Sequence, residues 1–156
     1  MNNFIDNDEY ENDENQSNET PEGGNVVSIE SKKAIRPAFA YWEVGDKKLQ
    51  LKLITSEIVE LEKKFRKNLI NLLGDEDNIP PLTTMFQIIH SAALPYNHGI
   101  KLKDIMNFYD KYQMNGGTQL NLYVDVYIQI FMVSGFFSSS MVEDVTDSME
   151  RVRENM

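Results

Sequence analysis

Nine acidic residues and not one basic residue fall within the first thirty positions, and that segregation limits where a core can form. Asp6, Asp8, Glu9, Glu11, Asp13, Glu14, Glu19, Glu22 and Glu30 are interspersed with Asn, Ser and Gly, and Phe4, Ile5 and Tyr10 are the only large apolar residues before Val26. Such a stretch cannot bury enough apolar surface to offset its ordering entropy, so residues 1–33 are expected to be a disordered acidic tail. The tail serves either as an acidic arm for a basic partner or as a solubilising leader for an apolar body. The whole chain has 156 residues, 25 acids and 15 bases, a formal net charge of −10. With nine acids in the tail, the remainder balances sixteen acids against fifteen bases.

That balance argues against binding to nucleic acid or an anionic membrane, which needs clustered Lys and Arg. There is no cysteine, which excludes a disulfide scaffold, a thiolate metal site and a Cys nucleophile. No apolar run approaches the roughly 18 residues of a membrane span. The acidic, polar N-terminus has no Sec-type signal, so a cytosolic protein is expected. Hydrophobic residues make up 41% of the chain, enough for one ordinary core, and length points to one domain.

The body is expected to open with a hairpin. Two alternating runs flank Gly45-Asp46, and Gly at the first central position suits a two-residue turn of type I′ or II′. A two-residue loop sets the register: Val44 faces Lys47, Trp42 faces Leu49 and Ala40 faces Leu51. Apolar residues then share one face, while Glu43 meets Lys48 and Tyr41 meets Gln50 on the other. A lone hairpin is marginal, so its apolar face must be covered. Trp42 is expected above the first helix.

Helices follow. A first, at about 56–73, carries the stripe Ile58, Leu61, Phe65, Leu69 and Leu72, with Thr55 or Ser56 as its cap and Gly74 as its stop. A second covers about 81–94, with Leu82, Met85, Phe86, Ile89, Ala92 and Ala93 buried. A third covers about 102–113. The fourth segment, 119–134, is ambiguous: Leu120, Leu122, Val124, Val126, Ile128 and Ile130 alternate as in a strand, whereas Leu120, Val124, Tyr127 and Phe131 fit a helix. Its length favours the helix, and Thr118 can cap it. After Ser138-Ser139-Ser140, Ser140 and Glu143 match a capping box. An amphipathic helix over 141–153 then shows Met141, Val142, Val145, Met149 and Val152. The fold class is therefore mainly α with a small N-terminal β-hairpin: a compact domain of about four helices over 34–137, and a C-terminal amphipathic helix within 138–156.

Little here supports catalysis. No phosphate-cradling Gly-rich loop and no G-x-S-x-G elbow is present. His90, near the buried edge of the second helix, reads as a histidine satisfied by backbone. His98, with Asp104 and Asp110, fits no zinc spacing, and Asp75-Glu76-Asp77 lacks the pattern of a calcium loop. No catalytic, cofactor-binding or metal residue is expected, and no cofactor. Of the methionines, Met85 and Met132 read as core. Met141 and Met149 lie on a helix outside the compact part, where an apolar stripe needs a cover. That stripe either folds back on the domain or engages a partner, and Met141, Val142, Val145, Met149 and Val152 are the partner-binding candidates.

Several phrases then occur together. Arg36-Pro37-Ala38-Phe39-Ala40-Tyr41-Trp42 leads into the hairpin. Leu53-Ile54-Thr55-Ser56 leads into Ile58-Val59-Glu60-Leu61-Glu62-Lys63 and then Asn68-Leu69. Pro80-Pro81-Leu82, Tyr96-Asn97-His98-Gly99-Ile100, Gly116-Gly117 and Val133-Ser134-Gly135-Phe136-Phe137 follow. Their order resembles the tail assembly chaperones of long-tailed phages and prophages of Gram-positive bacteria, over about 34–137. The resemblance implies a non-enzymatic protein of the host cytoplasm, absent from the mature virion. Such a protein binds the tape measure protein and keeps it soluble until the tail tube encloses it. The tail tube protein and other chaperone copies are further implied partners, and a frameshifted longer form of the chain is a family habit. The alternatives are a tail or head-completion protein retained in the virion, and an acidic host-directed binding protein such as a DNA mimic.

Overall fold

The computed structural model describes residues 36–74 and 77–156; the expected tail, and Asp75 and Glu76 of the loop, lie outside the described residues. The architecture is mainly helical with one antiparallel hairpin. Strand β1 (Ala40–Val44) pairs with β2 (Lys47–Leu51) in the expected register. Gly45 takes φ 63, and Arg66 is the one described non-glycine with positive φ, so Asp46 stays negative and the turn is of the II′ kind. Lys48 and Glu43 form an ion pair at 2.7 Å. Ala40, Trp42, Val44 and Leu51 are buried.

The cover over that face differs from expectation. Trp42 packs edge-on against Phe108 and Tyr112 of the third helix, with ring centroids 4.7 and 5.7 Å away. Helix α1 (Thr55–Phe65) instead packs on the second helix. It also stops eight residues before the expected end. Arg66 takes a left-handed conformation, φ 53 and ψ 38. The carboxylate of Glu62 accepts the Leu69 N–H at 2.9 Å, and Asn68 Oδ1 accepts the Ile70 N–H. These side chains start a separate 3-10 turn, Leu69–Leu72, and the apolar stripe crosses the break because Leu61 and Leu69 both stay buried. Ile54, not Thr55 or Ser56, occupies the N-cap of α1, without a side-chain bond.

Helix α2 (Leu82–Ala93), with Pro81 at its N-cap, contacts β2, α1 and α3 (Leu102–Met114). Short links lock the end of β2 in place: Lys52 N–H to Ala92 O at 3.0 Å, the Asn97 amide to Gln50 O and Ala93 O at 2.9 Å each, and Leu53 N–H to Ser134 Oγ at 2.9 Å. His90 Nε2 sits 3.1 Å from Ile100 O, the backbone partner expected for it. The Arg36 guanidinium donates to Phe137 O, joining the two ends of the body.

Residues 119–133 form a continuous helical segment. Thr118 caps α4 (Gln119–Leu122), accepting the Asn121 N–H at 3.1 Å. A π turn (Tyr123–Tyr127) follows, with Ile128 N–H bonded to Tyr123 O, and then α5 (Ile128–Val133). Leu122 to Val124, Val126 to Ile128 and Ile130 to Val133 are all buried. A helix buried on nearly every side has no clean period, which is why it reads equally as a strand. The core therefore sits around this segment, beneath the hairpin and α2.

Candidate partner-binding groove

Helix α6 (Ser139–Glu154) begins earlier than the capping-box reading placed it. Ser138 is the N-cap, with its Oγ 3.4 Å from Met141 N, and Ser139 and Ser140 are helical, so the three serines are not a spacer. The helix folds back along 119–133 in antiparallel sense. Asn121, Asp125 and Gln129, at four-residue steps in an otherwise apolar run, meet it in reverse order: Asn121 Nδ2 reaches Met156 S at 4.0 Å, Asp125 Oδ1 takes Arg153 NH2 at 2.6 Å and Nε at 2.9 Å, and Gln129 Nε2 reaches Met149 S at 4.0 Å. The ion pair is half exposed, so it is worth only about 0.2–1 kcal/mol. It sets direction more than stability.

The five partner-binding candidates divide. Val142 and Met149 are buried against the body, Val145 and Val152 are half-buried against it, and Met141 is 48% exposed. Met149 therefore does not lie outside the compact part. Val145, Met149 and Val152 line an open groove of about 610 Å³ along one side of α6, together with Asp144, Ser148, Asn155 and Met156. The opposite wall is Leu73, Leu120, Tyr123, Val124 and Ile128. That wall was missed in the sequence because the segment was ambiguous. The polar i, i+4, i+8 row of Asn121, Asp125 and Gln129 was the signal that could have placed α6 beside it.

The π turn shapes the wall. Its extra residue lets Tyr123 and Val124 line the groove while Tyr127, on the same turn, reaches the 3-10 turn and donates its hydroxyl to Leu72 O at 2.6 Å. Among the described residues, Asp144 is the one charged side chain lining the groove. Apolar side chains make up most of its surface, with Asp144, Ser148 and Asn155 as polar points on the α6 side, a lining suited to binding an apolar partner. Among the described residues no three His, Asp or Glu side chains gather as a metal site, and no helix is long and apolar enough to cross a membrane.

Burial, and secondarily the nearby Tyr123, pushes the Tyr127 hydroxyl well above its ordinary range. The fold thus favours the neutral phenol. That stabilisation is complete below the unfolded value, about 10, and is lost as pH rises through the folded value. Stability should fall steeply above about pH 10, with the last tyrosinate absorbance appearing together with loss of helical circular dichroism. Tyr127→Phe should shift that alkaline loss upward and cost about 1 kcal/mol at neutral pH, for the hydrogen bond to Leu72 O. Alkaline unfolding at the same pH in both proteins would contradict this.

A family model described as a family of unknown function matches residues 33–154. No curated protein and no solved structure matches the chain.

Proposed function

The chain belongs to DUF6096, a family of unknown function, and from its own residues we propose that it is a phage tail assembly chaperone. It binds the tape measure protein in the host cytoplasm, keeps it soluble while the tail tube assembles, performs no chemistry and leaves before the virion is complete. The observation that carries this reading is the open apolar groove between α6 and 119–133. An open apolar channel beside a helix accepts another helix by burying its apolar stripe, and a tape measure is a very long helical chain that needs such cover before enclosure. The likeness of the phrases from Arg36-Pro37 to Phe136-Phe137 to tail assembly chaperones supports the same reading. So does the net charge of −10, which keeps a complex with an aggregation-prone chain in solution.

The reading separates from that of a retained tail or head-completion protein by composition. Mass spectrometry of tail intermediates and of finished virions should find this chain in the first and not in the second. Stoichiometric recovery from finished virions would reject the chaperone role.

A further inference from the structure

We propose that the groove beside α6 takes an amphipathic helix of about three turns whose apolar stripe is flanked by Lys and Arg. The proposal deepens, and rests on, the reading that this chain binds a helical partner. Three observations carry it. The α6 wall runs from Asp144 to Asn155, which at 1.5 Å per residue is about 17 Å, the length of three helical turns. The walls offer Leu120, Val124 and Ile128 at four-residue steps on one side and Val145 and Val152 seven apart on the other, spacings that interdigitate with i, i+3, i+4 and i+7 anchors. A compact apolar molecule would use such a long, open channel poorly.

The third observation is charge. The exposed side of α6 carries Glu143, Asp144, Asp147, Glu150 and Glu154 against Arg151 and Arg153, and Arg153 is already bound to Asp125. Among the described residues no Lys or Arg lines the groove. Asp144 puts a carboxylate on the wall and α6 as a whole is net acidic, with Arg151 one turn from Ser148; a net acidic wall speeds and selects basic partners and disfavours acidic ones. A second copy of the chain would bring the same acidic α6 against itself, which makes it the poorer occupant.

The test uses the full chain and three fluorescent synthetic peptides of about 14 residues, long enough for the groove with a short overhang. One has leucines spaced three and four apart with flanking lysines, one the same leucines with flanking glutamates, and one the lysines with a scrambled leucine order. Anisotropy should show saturable binding of the first, with the other two weaker by about tenfold or more. Ser148→Trp places a large side chain in the groove from an exposed position. It should weaken the first peptide by about tenfold or more while leaving the melting temperature unchanged. Asp144→Lys combined with Asp147→Lys should bring the lysine and glutamate peptides to similar affinity. Equal binding of the scrambled peptide, indifference to Ser148→Trp, or a dimer that Ser148→Trp converts to monomer would each overturn the proposal. The two readings fail separately. Peptide selectivity without tape measure binding would remove the chaperone role and keep the groove assignment. Tape measure binding that survives Ser148→Trp would do the reverse.

Discussion

Replacing Trp42 by alanine is expected to lower the unfolding free energy by about 3–5 kcal/mol, the range for deleting a buried large aromatic. Trp42 is 2% exposed and stands edge-on to Phe108 and Tyr112. It is thus the piece that fastens the hairpin to α3, and two-stranded hairpins do not hold alone. Domains of this size have only about 5–15 kcal/mol to lose, so the variant should give up a large share of its stability. Its indole Nε1 has no hydrogen-bond partner among the described residues, so Trp42→Phe forfeits packing volume but no polar bond seen there, and its loss should be smaller. Urea titration followed by circular dichroism measures both, and native tryptophan emission should be that of a buried indole. A loss under about 1 kcal/mol for the alanine variant would mean that this contact is not part of the core.

Gly74→Ala should cost about 2–4 kcal/mol, from two causes that add. Gly74 has φ 79, where a side chain is strained. A Cβ there would also stand 2.6 Å from Pro80 Cδ and 2.7 Å from Asn78 O. Neither can retreat easily, since one belongs to a proline ring and the other to the backbone. Gly45 offers the control: it too has positive φ, 63, but nothing lies within 4 Å of its would-be Cβ. Gly45→Ala should therefore cost only the conformational part, about 1–2 kcal/mol. Calorimetry on the two variants checks the difference, and equal melting temperatures would show that the Pro80 contact is not made.

What could be read in advance, and what could not, follows from how local each cause is. The hairpin register was legible because a two-residue turn determines every cross-strand pair from Ala40–Leu51 to Val44–Lys47. The break in the first helix was not. The apolar spacing runs unbroken from Ile58 to Leu72, and the interruption comes from a left-handed Arg66 and the Glu62 and Asn68 bonds to backbone, which periodicity does not register. Trp42 was correctly placed in the core but over the wrong helix, because facing a core says nothing about which element supplies the cover. The stripe on α6 was legible from its spacing. Its seating was not, because Asn121, Asp125 and Gln129 act across a fold whose topology the local pattern leaves open. Half of the groove therefore came from sequence and the other half from packing.

Co-expression decides whether the chain keeps a tape measure protein in solution. The chain would be produced together with a candidate tape measure protein, and the soluble fraction examined by size-exclusion chromatography with light scattering. The tape measure is expected to be largely insoluble alone. With the chain present it should become soluble and co-elute with the chain as one complex. A tape measure that stays insoluble, or that is soluble yet elutes without the chain, would contradict the chaperone role.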